Sequence, residues 1–187
     1  VPVTAETLQQ QADGEDVVLN AAIKAISAPQ GAGVIPSGPP EIASTDAASS
    51  ALSSGTSFLE DLAREKYDAA DYVPGTRAYT IQLAKTDTVI WAYYWCTTST
   101  DILNQNFENI DLEFALDGEA VSLDKFKRDD LENQGQQCRI YYTALSKWPA
   151  GEHHLSTTVT FKKPINDGTA DYKAGDYISE YAVFLKP

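Results

Sequence analysis

The chain has 187 residues, room for one domain with a long extension, and a chain of this size buries about two thirds of its unfolded surface without needing a metal. Its 27 acidic and 14 basic residues give a formal net charge of −13, which repels polyphosphates and anionic headgroups and discounts nucleic acid and anionic membranes as partners. No apolar run approaches the roughly 18 to 20 residues of a membrane span, and the longest, Val89 to Cys96, is short and aromatic like a strand.

The first 56 residues contain no Phe, Trp, Tyr or Cys, so the sequence divides into an arm, 1–56, and a body, 57–187. The chain has no methionine and opens Val1-Pro2-Val3, from which we expect a processed protein whose leader has been removed, extracellular or at the cell surface. Within the arm, Asp13-Gly14-Glu15-Asp16 precedes a short apolar segment, 17–26, in which Leu19, Ala22, Ile23 and Ile26 share a helical face. The same segment also alternates, Val17, Leu19, Ala21, Ile23 and Ala25 against the rest, so an extended strand is open as well. Val17, Val18, Leu19, Ile23 and Ile26 are the candidate docking residues of the arm. From Ala28 to Thr56 the sequence is rich in Gly, Pro, Ser, Thr and Ala and reads as a linker, with little apolar surface to offset the entropy of ordering.

Ser57-Phe58-Leu59-Glu60 fits a capping box and predicts a helix over 57–70, with Glu60 and Arg64 as an exposed pair, ended by Val73-Pro74-Gly75. Beyond Gly75 the apolar period becomes two. Tyr79-Ile81-Leu83, Ile110-Leu112-Phe114-Leu116 and Leu155-Thr157-Val159-Phe161 alternate with polar neighbours, as half-buried strands do. Thr88 to Thr97 is apolar on both faces, as in a central strand. Asp117-Gly118 is a hairpin signal joining the 110s strand to Ala120–Leu123. Arg139 to Leu145 and Tyr177 to Leu185 bring the total to about seven strands, which predicts a mainly β fold, an antiparallel sandwich.

Candidate chemistry is sparse. Cys96 and Cys138 have 41 residues between them, which suits a structural disulfide and no CxxC redox or zinc motif. His153 and His154, the only histidines, alternate to opposite faces of a strand and cannot share a metal; no HExxH and no GxSxG is present. Asp111 and Glu113 share a strand face, but in so acidic a chain an alternating Asp-x-Glu reads as the wet side of a sheet. Asp167, Asp171 and Asp176 are candidate oxygen ligands for calcium, the one cofactor the sequence admits, although an Asx turn also explains Asn166-Asp167-Gly168. Trp148, in a turn, is the candidate for stacking on a carbohydrate ring.

Trp95-Cys96, the run Leu145-Ser146-Lys147-Trp148-Pro149-Ala150-Gly151-Glu152-His153-His154, then Pro164-Ile165-Asn166-Asp167-Gly168 and the closing Tyr177 to Leu185 strand resemble uncharacterised secreted bacterial proteins with an immunoglobulin-like β-sandwich. The resemblance covers about residues 57–185 and leaves the arm out. It implies the sandwich fold and brings no catalytic residues. Trp95 adjoins its cysteine, whereas in antibody domains the tryptophan lies on a strand between the two, a departure that bears on where a disulfide would lie. The functional expectation is a non-catalytic extracellular structural or interaction subunit that assembles with protein, including further copies of itself, through the arm. The alternative is an extracellular module binding carbohydrate or calcium.

Overall fold

The computed structural model describes residues 38–64 and 72–186. The arm candidates Val17, Val18, Leu19, Ile23 and Ile26 lie outside the described residues, as does 65–71, which includes the last six residues of the predicted 57–70 helix. In chain order the strands are β1 Glu41–Ile42, β2 Gly75–Leu83, β3 Val89–Thr97, β4 Ile110–Leu116, β5 Glu119–Val121, β6 Lys127–Asn133, β7 Gln136–Ser146, β8 Glu152–Phe161, β9 Ile165–Asn166, β10 Asp171–Tyr172 and β11 Gly175–Leu185. Among the described residues three α-helices accompany them: α1 Thr45–Ser53, α2 Leu59–Ala63 and α3 Thr100–Phe107.

The fold is mainly β, as expected, with two principal sheets packed face to face. In the first, β7 has β3 along one side and β6, then β1, along the other. The second runs β2-β11-β8-β4-β5, and β9 with β10 forms a separate hairpin. All these pairs are antiparallel but one: β2 and β11 run parallel through nine positions, from Gly75 opposite Tyr177 to Leu83 opposite Leu185. The seven predicted strands correspond to β2, β3, β4, β5, β7, β8 and β11. The Asp117-Gly118 hairpin forms as read, with both residues at positive φ, 51° and 84°, the conformation a two-residue turn with the right twist requires.

Alternation builds the core. Val89, Trp91, Tyr93 and Trp95 of β3 face inward against Phe114, Leu155, Val159, Phe161, Tyr177, Tyr181 and Val183 of the second sheet. Trp91 meets Phe114 and Phe126 edge-on, and Trp95 meets Phe161 and Tyr172 in the same way. The outer face of the first sheet holds a second cluster, Ile90, Ile140, Tyr142 and Ala144, covered by α1 through Ala48, Ala51 and Leu52.

That cover corrects the linker reading of 28–56. Residues 38–56 contain β1 and α1, so the ordered body begins before residue 57. Ser44 starts the helix by accepting the amide of Ala47, and β1 adds two residues to the edge of β7. Small side chains are the reason composition misleads here: Ala48 is 0% exposed because a methyl group lets the helix backbone lie close on the sheet. Lys127 Nζ donates to Ser49 Oγ at 2.8 Å, tying the polar side of α1 to β6.

The helix predicted over 57–70 is shorter where it is described. Its cap is Phe58 in extended backbone, with no side-chain capping bond, and the helical turns end at Ala63. Ser57 is drawn away from capping because its carbonyl accepts the amide of Ile90 at 2.9 Å, while Phe58 bridges to Ile90 in parallel. Glu60 is engaged elsewhere, by Arg64, as the pairing predicted, and by the phenol of Tyr181.

Two further elements lie outside those the sequence predicts. β6 is charged along most of its length and is held by cross-strand pairs: Arg139 grips Asp130 through two bonds of 2.7 Å, and Tyr142 donates to Asp129 at 2.7 Å. The Arg139 hydrogen bonds hold the Asp130 carboxyl below its ordinary range despite some burial. α3 begins at Ser99, whose hydroxyl accepts the Ile102 amide, and sends Leu103 and Asn106 inward.

Candidate functional site

Alternation in β11 sets Tyr177, Ser179 and Tyr181 on the face turned toward β3. The register places Arg77 and Thr157 on either side of Ser179, so a short polar row crosses the middle of a sheet face that is otherwise aromatic and aliphatic. Large rings flank that row. Tyr72 stacks on Tyr177 with centroids 4.8 Å apart, and Tyr79 stacks on Tyr181 at 5.5 Å. Across the gap stand Trp91, Tyr93 and Trp95. A space of about 540 Å³ is left among these residues, and it continues around the β3 edge to Tyr94 and Leu131 on the outer face.

The polar groups lining this space are mostly engaged. Trp91 Nε1–H donates to Thr157 Oγ1 at 2.9 Å, and Arg77 donates to the Val73 carbonyl at 2.9 Å. The Tyr181 phenol donates to the Glu60 carboxylate; burial, then that neighbouring charge, push it far above the ordinary range for a phenol. Trp95 Nε1–H differs: it is buried and meets no acceptor among the described residues. An orphaned buried donor is costly, of order 1 to 3 kcal/mol, and native structures contain few.

The predicted site residues fall as follows. Cys96 and Cys138 form a disulfide, with Cα atoms 4.0 Å apart. It joins directly opposed positions of β3 and β7 on the outer face of one sheet and does not bridge the two sheets, in keeping with the placement of Trp95 beside Cys96. Asp167, Asp171 and Asp176 are not brought together as a calcium site. Asp167 accepts from the Thr169 and Ala170 amides, the Thr169 hydroxyl and the Tyr172 phenol; Asp171 accepts from Asn166, and Asp176 from Thr160. Burial pushes the Asp167 carboxyl up, but these donors outweigh it and leave the group below its ordinary range. The carboxylates fold an Asx turn, and no group of three metal-binding side chains occurs among the described residues.

Trp148 does not offer a stacking surface, since it is 2% exposed. Lys147, at positive φ, turns the chain so that the indole points inward, where its Nε1–H donates to the Asp87 carbonyl at 3.0 Å and its ring meets His153 edge-on. His153 is fully buried, with Nδ1 2.9 Å from Asp117 and Nε2 3.0 Å from the Pro149 carbonyl. Asp117 also takes the His154 amide, so the hairpin turn and the Trp148 loop are locked by one carboxylate. His154 points the opposite way, toward Glu152. Asp111 and Glu113 are exposed, and Asp111 pairs with Lys162.

The sequence reading passed over Ser179 and Arg77. The available signal was a small polar residue sharing a two-residue period with Tyr177, Tyr181 and Val183.

No family model matches the chain, and no curated protein matches it. Among solved structures, it is similar to PbICP-C in the structure of its complex with falcipain-2, at 6% identity and a TM-score of 0.33, over 62% of this chain and 93% of that one. It is also similar to the Plasmodium falciparum protein Pf12p, at 8% identity and a TM-score of 0.32, over 64% of this chain and 47% of that one. Likeness at these scores carries no argument about function.

Proposed function

We propose that the protein is a non-catalytic extracellular interaction subunit that assembles with further copies of itself, the arm of one copy adding along the β3 edge of the next. The observation that carries this reading is the contrast between the two ends of the first sheet. The β6 end presents Lys127, Arg128, Asp129, Asp130 and Glu132, the charged pattern that blunts an edge against pairing. The β3 end instead presents apolar surface, with Tyr94 56% exposed beside the disulfide. Ser57 and Phe58 already bond the β3 edge at Ile90, so the alternating segment Val17 to Ala25 has the pattern to add along the remainder of that strand toward Thr97, with residues 28–37 supplying reach. The disulfide favours an oxidising compartment. The non-catalytic assignment rests on the histidines, one locked in a structural corner and the other on the far face of its strand. Light scattering on the intact chain and on a chain lacking residues 1–30 tests the proposal. Assembly that is lost with the arm supports it; assembly that survives the deletion refutes it.

A further inference from the structure

Independently of any assembly, the geometry points to the space between β3 and β11 as a binding site for a small, neutral, flat aromatic ligand carrying a hydrogen-bond acceptor. Stacked pairs Tyr72–Tyr177 and Tyr79–Tyr181 bound the space, and Trp95 faces it from β3, so its walls are ring surfaces that favour a planar apolar guest. Its floor is Ser179, flanked by Thr157 and Arg77, where the period of the strand would otherwise place a large apolar side chain. A sandwich core normally fills such a row to close packing, and leaving it short keeps room for a guest. The volume, about 540 Å³ including its continuation around the β3 edge, is in the range of sites that enclose small molecules.

The acceptor requirement comes from Trp95. Its indole is 6% exposed and its Nε1–H has no acceptor among the described residues, whereas the equivalent donors of Trp91 and Trp148 are both satisfied. A ligand carbonyl or ring oxygen would take that proton. Neutrality follows from the engagement of the charged groups lining the space: Glu60 is paired with Arg64, Asp167 is saturated by four donors, Arg77 donates to the Val73 carbonyl, and Asp61 is exposed to solvent. A saccharide fits less well, because its many hydroxyls would find few free partners among these rings.

Prodan, a neutral naphthalene ketone whose emission moves to the blue in an apolar site, is the probe. Titrated into the intact chain, it is expected to bind at one saturable site with blue-shifted emission. Ser179→Phe, which fills the floor, should abolish that binding at unchanged melting temperature. Trp95→Phe, which keeps a ring but removes the donor, should weaken it roughly five- to tenfold. Should Ser179→Phe lower the melting temperature, the Trp95→Phe affinity alone decides. The proposal is overturned by the absence of saturable binding, by affinity that Trp95→Phe leaves unchanged, or by displacement of prodan with glucose, galactose or N-acetylglucosamine at millimolar concentration, which would assign the space to carbohydrate.

Discussion

The inner face of β3 is covered by rings and the outer face by methyl groups. Inside, Trp91, Tyr93 and Trp95 reach toward the second sheet, where Trp91 meets Phe114 and Trp95 meets Phe161. Outside, Ile90 and Ala92 lie under an Ala- and Ser-rich helix whose backbone comes close because its side chains are small, and past that helix the same face carries the disulfide and exposed Tyr94. Burial by large side chains announces itself in composition. Burial by close approach of a small-residue helix leaves almost no compositional trace, although it protects comparable strand surface.

The contrast predicts a graded series of stability losses, all read by urea denaturation. Trp91→Ala should cost the most, about 4 to 5 kcal/mol, since it opens a cavity in the inner core and orphans the Thr157 hydroxyl. Replacing both Cys96 and Cys138 with Ser should cost about 3 to 4 kcal/mol through the restored freedom of the unfolded chain, with both sheets retained by circular dichroism. Ala48→Leu should cost about 2 kcal/mol by lifting α1 off the outer face, although it adds apolar surface; a stabilising effect would mean that the helix is loosely seated and that the two faces differ less than argued. Ser44→Ala should cost about 1 kcal/mol through loss of the helix cap. Tyr94→Ser, on the uncovered part of the outer face, should change stability by less than about 0.5 kcal/mol.

Much of this organisation was legible in the chain, and the exceptions have physical causes. Strands whose burial comes from their own side chains, such as β4 and β8, were read from alternation, and Asp117-Gly118 marked its hairpin because few residues accept that backbone. β6 was not legible because it buries almost nothing and is held by polar bonds across its own hairpin, from Arg139 and Tyr142. Ser57 was read as a cap because the motif is local, while the contact that overrides it, with Ile90, is not. Trp148 looked exposed because Pro149-Ala150-Gly151 signals a turn, and a turn sequence does not say which way the residue before it points. The candidate ligand space was legible only as Ser179 out of character with its row, a signal that acquires meaning once β3 is known to lie opposite.

The parallel pairing of β2 with β11 sets the order in which the protein can be completed. Roughly a hundred residues separate the paired positions, so this contact ranks among the slowest to form by chain-closure arguments. During synthesis β2 emerges long before its partner, and β8 and β4 can join as an antiparallel pair while β2 still waits. Arrival of β11 between β8 and β2 completes the second sheet in a single step, which makes the Tyr177 to Leu185 segment the clasp of the domain, so that even a short truncation at this end would leave β2 without its partner.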